Sequence, residues 1–425
     1  MEVVGDVVKL QKPSAKDRKT VGKPRRRRPA RSRTALVLGG GGFTGGVYEI
    51  GALRALDLLA VNRTVNEFDV YVGTSAGAFV GSLLANGVTP EEMMRVVDGQ
   101  VPTPFRDVDR GSLMRPNYTE FARSAALLPL RMLGVARNLV SHVGQFSVID
   151  LAVQLADGLP SGMYDGRAIE EYLKNVLGDP DRTDDFRLLQ NELYLAATDL
   201  DTCERIVLGG EEWDDVSIAR AVAASTALPM VYKPVEVKGR QLVDGGIRST
   251  TNVDIAVERG AKFVIVVNPL VPYVNDFEKV IPTLLGSRVR RVADMGFPQI
   301  GYQAFKLLAH QRLHEAVGQW QERYPGVDII LIEPEPNDEL MFETNIMNFT
   351  KRVEIARHGF ESVTHRLAED YDELKTICAK HGIEISAGRV RKVVRKVAEE
   401  REKTAAWRRI LEQTTGALLR QSEEA

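Results

Sequence analysis

Residues 72–79 read Val-Gly-Thr-Ser-Ala-Gly-Ala-Phe, a Gly-x-Ser-x-Gly stretch between an apolar strand and a helix. A serine at the apex of so sharp a turn needs small neighbours two positions away on each side, and Gly73 and Gly77 meet that need. The apolar pattern predicts a buried strand over residues 68–72 and a helix over residues 76–86. Taken alone, the stretch is also consistent with a packing turn rich in glycine and serine, which is the less favoured interpretation.

A second strand–loop–helix unit precedes this one. Residues 34–38 are apolar and typical of a buried strand, and the glycine-rich run of residues 39–46 follows at once. Apolar residues at helical spacing from Val47 to Leu59 then predict a helix. Two successive β-α units imply parallel strands. We therefore predict an α/β fold, a three-layer α/β/α arrangement with a mainly parallel central sheet and a helical C-terminal extension.

The rest of the chain continues the alternation of strands and helices. We predict a basic disordered tail at residues 1–33, an α/β domain at 34–345 and a helical region at 346–425. A proline-broken, lid-like insertion covers about residues 100–165. Further strands are predicted at residues 193–197, 205–208, 235–237, 241–243, 262–267 and 328–332, and helices at 288–318, 349–381 and about 390–411.

The composition is that of a soluble globular protein. Of the 425 residues, 44% are hydrophobic and 27% charged, and no apolar run is long enough to predict a transmembrane helix. No secretory signal is evident at the N-terminus. Cys203 and Cys378 lie far apart, which fits a reducing compartment and excludes a cysteine-based metal site. We expect a cytoplasmic protein, with association at a membrane surface as a further expectation, and no metal or organic cofactor is implied.

Two basic segments suggest contact with an anionic surface. Residues 1–33 hold twelve basic against three acidic residues, whereas the remainder of the chain is net acidic. Without aromatic residues for stacking, this tail favours phospholipid head groups over nucleic acid, and no nucleic-acid partner is expected. A solvated tail without a partner is equally consistent. Residues 119–141 are apolar and basic, as in a lid or an interfacial helix, or in a helix packed on the core.

The glycine run can form an anion-binding loop. Consecutive glycines between a strand and a helix can direct several backbone N–H groups at a phosphate or an oxyanion. The spacing Gly40-x-Gly42-x-x-Gly45 also matches the dinucleotide-binding fingerprint, but that site needs a carboxylate near the end of the second strand. This strand ends at Ser75, and Asp69 stands at its beginning. The pattern therefore favours an oxyanion loop, and a nucleophilic serine is the partner such a loop requires.

A serine nucleophile needs a base, and the sequence indicates an aspartate. The histidines lie in segments predicted to be surface or packing positions, and none follows a strand end; they are His142, His310, His314, His358, His365 and His381. Asp244 closes the apolar stretch Gln241-Leu-Val-Asp and precedes two glycines. A carboxylate whose pKa is raised by partial burial can accept a serine proton. An ordinary Asp-Gly turn explains the same residues equally well.

Three motifs in order resemble the patatin-like phospholipase family. They are Leu36-Val-Leu-Gly-Gly-Gly-Gly42, Gly-Thr-Ser75-Ala-Gly and Asp244-Gly-Gly, and the resemblance covers about residues 34–268. It extends to Tyr164-Asp-Gly-Arg167, Ala197-Thr-Asp-Leu200 and Ala223-Ala-Ser-Thr-Ala-Leu-Pro229. The resemblance implies a Ser-Asp dyad without histidine that hydrolyses acyl esters of lipids. Ser75 would be the nucleophile and Asp244 the base. Gly40, Gly41 and Gly42, with Gly45, would supply the oxyanion hole, and Gly73 and Gly77 would flank the nucleophile.

One departure from the family pattern keeps an alternative open. The glycine loop of the family usually continues with Arg or Lys, whereas Phe43-Thr44 stands here, with one additional residue. Backbone donors are unaffected, but a fixed positive charge is lost. We therefore predict a phospholipase A or lysophospholipase acting on a phospholipid or another lipid ester. A lipid-binding protein of the same family without turnover is the alternative, and a nucleotide-binding protein is a weaker one.

Overall fold

The computed structural model describes most of the chain. The described residues are 32–99, 114–141, 159–275, 281–282, 288–289, 291–336, 338, 340–341, 351–389, 391, 392, 395 and 399. The predictions for the basic tail up to residue 31 and for most of the last helix lie outside them. So do two parts of the predicted insertion, residues 100–113 and 142–158.

Strands and helices alternate along the described residues. The strands are β1 (Thr34–Leu38), β2 (Val70–Thr74), β3 (Arg115–Pro116), β4 (Gly162–Asp165), β5 (Glu192–Asp199), β6 (Arg205–Leu208), β7 (Met230–Tyr232), β8 (Val235–Val237), β9 (Arg240–Asp244), β10 (Phe263–Val267), β11 (Ile281–Pro282), β12 (Arg288–Val289) and β13 (Asp328–Ile332). The helices are α1 (Gly42–Leu59), α2 (Ala76–Ala85), α3 (Pro90–Asp98), α4 (Tyr118–Ser141), α5 (Arg167–Leu177), α6 (Ile218–Ser225), α7 (Val253–Glu258), α8 (Phe297–Arg323), α9 (Arg352–Glu369) and α10 (Tyr371–Lys380). Short 3-10 turns cover Val65–Glu67, Phe186–Leu188, Gly245–Ile247 and Val292–Met295.

The central sheet is mainly parallel. Strands β13, β10, β1, β2 and β5 lie side by side in that order, all parallel. The antiparallel strand β6 pairs with the outer edge of β5, and β8 and β9 form an antiparallel extension. Every residue of β1, β2 and β10 is buried, as expected for parallel strands covered on both faces.

Strand β9 continues the line of β2 along one edge of β5. Thr74, the last residue of β2, pairs with Ala196, and Asp244, the last residue of β9, pairs with Ala197. Because β6 occupies the opposite edge of Ala196 and Ala197, β2 and β9 share the remaining edge and meet end to end. The sheet therefore joins the C-terminal ends of two strands that are far apart in sequence.

Helices cover both faces of the sheet. Alternate strand residues such as Leu36, Tyr71 and Phe263 belong to a core shared with α1, α2 and α9. Their neighbours Ala35, Val70 and Val264 belong to a second core, to which α7 contributes Val253 and Ile255 and α8 contributes Leu313 and Trp320. The period of two in a strand sends successive side chains to opposite faces, so both cores form on one sheet. The predicted three-layer α/β/α fold is confirmed.

Several element boundaries differ from the prediction. The second strand covers 70–74 instead of 68–72, since the Asp69 carboxylate accepts hydrogen bonds from the backbone and side chain of Thr34 before the strand begins. Helix α1 begins at Gly42, so the last part of the glycine run is helical. The long predicted helix at 288–318 starts only at residue 297. The small sheet formed by β3, β4 and β7 was not predicted, because strands of two to four residues carry no readable period.

Helix α4 lies within the predicted insertion and exposes much of its apolar surface. Its bounds, Tyr118–Ser141, agree with the segment predicted to be a lid or interfacial helix. Leu130 is 67% exposed and Leu133 is 70% exposed, so these side chains do not pack on the core. Among the helices that the structure describes, none combines the length and apolarity required to cross a membrane.

Candidate active site

Ser75 occupies the sharp turn between β2 and α2. Its φ of 56° and ψ of −121° are unusual for a residue with a side chain, as expected at a nucleophile elbow. The glycines on both sides are required by space. A Cβ at Gly73 would lie 2.6 Å from the Gly77 carbonyl oxygen, and a Cβ at Gly77 would lie 2.3 Å from the Leu38 carbonyl oxygen. The structure thus gives Gly73 and Gly77 the packing role that the spacing predicts.

The glycine loop after β1 lies directly against this turn. The Gly77 amide donates a hydrogen bond to the Gly39 carbonyl at 3.0 Å. A Cβ at Gly40 would lie 3.3 Å from the Cβ of Ser75. The neighbouring strands β1 and β2 therefore place the glycine loop beside the serine hydroxyl.

The amides of the loop divide into two groups. The Gly45 amide donates to the Gly41 carbonyl at 3.0 Å, the first hydrogen bond of helix α1. This bond engages Gly45, which argues against the predicted role of its amide as an oxyanion donor. Within the described part of the chain, the amides of Gly40, Gly41 and Gly42 donate to no protein group. These three N–H groups remain the candidates for binding an anion.

Asp244 ends β9 and is hydrogen-bonded to Ser75. The Ser75 hydroxyl donates to Oδ2 of Asp244 at 2.5 Å, and the Gly246 amide donates to Oδ1 at 2.7 Å. Both side chains are buried, with residue exposures of 6% for Ser75 and 3% for Asp244. Burial raises the pKa of Asp244 to about 6, although the bonds from Ser75 and Gly246 oppose that shift. A carboxylate with such a pKa is suited to exchange protons near neutral pH.

Two further side chains hold this arrangement, and the sequence did not single them out. The Ser75 amide donates to Oγ of Ser225 at 3.0 Å, and the Ser225 hydroxyl donates to the Ala196 carbonyl at 2.6 Å. Asn252 donates to Oγ1 of Thr74 at 2.9 Å. Ser225 lies within the stretch 223–229 quoted above for its resemblance, which was the one available signal. For Asn252 the sequence contains no such signal, because a single asparagine outside any motif does not indicate a role.

An apolar cavity opens from the serine. Its volume is about 140 Å³, and Ser75 and Asp244 lie in its wall together with residues 40–43 of the glycine loop. The remaining wall is mainly aliphatic and aromatic, formed by Val47, Ile50, Phe79, Val80, Leu83, Met93, Val96, Val97, Ile169, Tyr172, Leu228, Val231, Tyr232, Leu270 and Phe305. Among the described residues of this wall, Arg352 is the one cationic side chain. A cavity of this character suits a hydrocarbon chain better than a nucleotide.

The histidines lie elsewhere. His314 contacts Glu333, His358 contacts Asp338 and His381 contacts Asp328. Among the described residues, no histidine forms a hydrogen bond with Ser75 or Asp244. His142 lies outside the described residues. Over the described ranges, the Ser75 hydroxyl is thus hydrogen-bonded to an aspartate and to no histidine.

A comparison with family models decides the family. Residues 36–257, more than half of the chain, match the patatin-like phospholipase model. The chain belongs to the patatin-like phospholipase family. The matched range contains the glycine loop, the Ser75 turn and Asp244, so the family resemblance carried by those motifs is confirmed.

Two curated relatives are similar to this patatin-like chain over part of their length. The uncharacterized protein YqhO of Bacillus subtilis (strain 168) is 26% identical over 225 residues, which are 49% of this chain and 64% of the relative. The probable lipid hydrolase 463L of Invertebrate iridescent virus 6 is 22% identical over 223 residues, 52% of this chain and 63% of the relative. The match therefore spans less than two thirds of either relative.

Several solved structures are distantly similar to this patatin-like chain. VipD from Legionella pneumophila aligns with a TM-score of 0.34 and 15% identity, over 80% of this chain and 67% of VipD. The type III effector ExoU aligns with a TM-score of 0.31 and 15% identity, over 80% and 53% of the two chains. Human GIVD cytosolic phospholipase A2 aligns with a TM-score of 0.29 and 10% identity, over 82% and 60%.

Proposed function

We propose that this protein is a lipid acyl hydrolase of the phospholipase A or lysophospholipase type. In this proposal Ser75 is the nucleophile, Asp244 is the general base and acid, and the amides of Gly40, Gly41 and Gly42 stabilise the oxyanion. The observation that carries the proposal is the 2.5 Å hydrogen bond from the Ser75 hydroxyl to Asp244 at the end of an apolar cavity. Membership in the patatin-like phospholipase family supports the same substrate class.

The reaction proceeds through an acyl-enzyme. Ser75 Oγ attacks the ester carbonyl carbon while its proton passes to Oδ2 of Asp244. The carbonyl oxygen becomes an oxyanion beside the glycine-loop amides. When the intermediate collapses, the bond to the alcohol breaks, and Asp244 returns the proton to the leaving oxygen. Water then attacks the acyl-serine, Asp244 accepts its proton, and collapse releases the carboxylic acid as the proton returns to Ser75.

Burial gives Asp244 the properties that this cycle needs. A solvated aspartate with a pKa of 3.8 is too weak a base to take a proton from serine at neutral pH. With its pKa raised to about 6, Asp244 is ionised at pH 7 and is a stronger base. The bond from the Gly246 amide to Oδ1 leaves Oδ2 directed at Ser75.

We also propose that the protein reaches its lipid substrate by docking on a membrane surface through α4. Leu128, Leu130, Met132 and Leu133 expose large apolar surfaces on this helix, and Arg123 is exposed nearby. An amphipathic helix with cationic residues can insert its apolar side chains at the boundary between head groups and acyl chains. In this proposal the insertion at about residues 100–165 acts as the lid of the cavity.

The proposed function is tested with an active-site probe. Purified protein is incubated with a fluorophosphonate and digested, and the labelled peptide is mapped. We expect one modified residue, Ser75, together with release of fatty acid from phospholipid vesicles. Ser75→Ala should abolish both. Ser82→Ala serves as the control, since Ser82 is buried in the same helix–turn unit and its hydroxyl donates to the Phe79 carbonyl rather than to Asp244.

Three outcomes would contradict the proposal. Labelling of another serine, or hydrolysis retained by Ser75→Ala, would reject the nucleophile. Vesicle binding without labelling or turnover would instead support the alternative of a lipid-binding protein without activity.

A further inference from the structure

Two histidines and a glutamate form a cluster at one end of the sheet. His310 and His314 are one helical turn apart on α8, and their ring centres are 4.1 Å apart. Glu333 directly follows β13, and its Oε2 lies 2.8 Å from Nε2 of His314. One nitrogen or oxygen atom from each of the three side chains lies within 4.8 Å of the others. This cluster could not be predicted from the sequence, because Glu333 reaches the histidines only when β13 and α8 pack together.

The glutamate is oriented by a buried amide. Asn268 is fully buried at the end of β10 and donates through Nδ2 to Oε1 of Glu333 at 2.7 Å. This bond leaves Oε2 facing the histidines. Carboxylates that bind metals are commonly held in this way by a neighbouring hydrogen bond. The cluster therefore has the features of a constructed site, with an orienting partner behind one of its three side chains.

We propose that His310, His314 and Glu333 bind a divalent cation of the zinc type. Two imidazole nitrogens and one carboxylate oxygen form a set that zinc accepts in proteins, whereas magnesium and calcium prefer oxygen ligands alone. Tetrahedral zinc ligands stand about 3.4 Å apart at bond lengths near 2.1 Å. The three atoms already lie within 4.8 Å of one another, so metal binding requires the side chains to rotate to that spacing. The hydrogen bond between His314 and Glu333 is then exchanged for two bonds to the metal.

The cluster is accessible from solvent. The side chain of His314 is 45% exposed, while that of Glu333 is 10% exposed. A cation can thus enter on the His314 side and keep a water molecule as its fourth ligand. The ion would then link α8 to the edge of the sheet formed by β13.

This site is separate from the proposed active site. In the strand order β13-β10-β1-β2, Glu333 follows the first strand and Ser75 follows the fourth. Three strand spacings correspond to about 14 Å. Asn268, which orients Glu333, nevertheless lies against Gly39 at the start of the glycine loop. A Cβ placed at Gly39 would be only 3.0 Å from Oδ1 of Asn268. The inference does not depend on the proposed hydrolase activity.

The test measures metal binding directly on the full chain. Chelator-treated protein carrying Cys203→Ser, which removes an exposed thiol, is titrated with ZnCl2 by calorimetry. We expect one tight site, lowered in affinity at least about 10-fold by His310→Ala, His314→Ala or Glu333→Gln. Co²⁺ should give visible absorption bands typical of a tetrahedral site, and MgCl2 should not compete. His365→Ala is the matched control, since His365 lies on α9 outside the cluster.

The melting temperature provides a second measurement. Zinc should raise the melting temperature of the Cys203→Ser protein and of the His365→Ala control but not that of the His314→Ala variant, because a ligand that binds the folded state stabilises it. The proposal is overturned if zinc binds no more tightly than magnesium, or if all three cluster variants keep the parent affinity. Ester hydrolysis by the zinc-free protein is measured in parallel, so failure of the metal site and failure of the proposed function are distinguished.

Discussion

The Ser75 hydroxyl donates a 2.5 Å hydrogen bond to Asp244, a residue 169 positions further along the chain. Strand β5 brings the two together, since its consecutive residues Ala196 and Ala197 pair with Thr74 and Asp244. Both side chains are buried next to the glycine loop.

Removing either member of the pair should abolish most hydrolysis. We expect Ser75→Ala and Asp244→Asn each to lower kcat/KM for an ester substrate by at least about 10³-fold. The double variant should be no more than a few-fold worse than either single one, because the two groups act on the same proton. Steady-state kinetics on the three folded variants checks this. Independent, multiplicative losses would mean that the two residues do not act as a unit.

The pH profile should report the ionisation of Asp244. Because only the carboxylate can accept a proton, kcat/KM should fall about tenfold per pH unit below the pKa near 6 and level off above it. The apparent pKa should change little with temperature, as is typical of carboxyl groups, whereas an imidazole pKa falls on warming. If the apparent pKa in the kcat/KM profile shifted with temperature, and the acidic fall in kcat/KM disappeared in a single histidine-to-alanine variant, a histidine base would be identified instead.

Asp244 should lower the stability of the protein at neutral pH. Its folded pKa of about 6 lies above the ordinary 3.8, so the folded state retains a proton that the unfolded state has released. The free energy of unfolding therefore falls as pH rises from about 4 to 6, by about 3 kcal/mol in total. Asp244→Asn should consequently unfold at higher urea concentration than the parent at pH 8, with a smaller difference at pH 4.5. An equal difference at both values would contradict the argument.

The backbone at Ser75 should favour glycine. With φ at 56°, a residue carrying a Cβ is strained, so Ser75→Gly should be more stable than Ser75→Ala by about 1 kcal/mol. Both variants lack the hydroxyl, which removes its hydrogen bond from the comparison. At Ser82, in the regular part of α2, the order should reverse, because glycine destabilises a helix interior relative to alanine. Denaturant unfolding of the four variants tests the opposite signs.

The exposed leucines of α4 should matter only for substrate in a membrane. We expect Leu130→Ser and Leu133→Ser each to lower hydrolysis of vesicle lipids about 5- to 10-fold, since each leucine loses roughly 1 kcal/mol of interfacial burial. Hydrolysis of a soluble short-chain ester should be unchanged. Leu188→Ser is the matched control, because Leu188 is 71% exposed on another part of the surface. Equal losses in the control, or parallel losses on the soluble ester, would contradict a docking role.

The sequence predicts the elements that contain a repeating pattern or a steric requirement. Strands β1, β6, β8 and β13 have the predicted bounds, and the Ser75 turn was evident from the spacing of its glycines. Contacts that depend on tertiary packing were not predictable. Ser225 supports the Ser75 amide from another helix, and Glu333 meets His314 only across the packing of β13 against α8. The use of the Gly45 amide inside α1 likewise depends on where that helix begins.

The end-to-end arrangement of β2 and β9 has a consequence for how the sequence of this protein can evolve. Apart from the turn into α2 and the helix that carries Ser225, segments between the two strands can be lengthened, shortened or exchanged without altering the separation of Ser75 and Asp244, because neighbouring positions on β5 fix that separation. A single-residue deletion within β9 would be far more damaging, since it would turn Asp244 to the opposite face of the sheet. The parts of the chain that line the cavity can therefore change while the Ser75–Asp244 pair keeps its geometry.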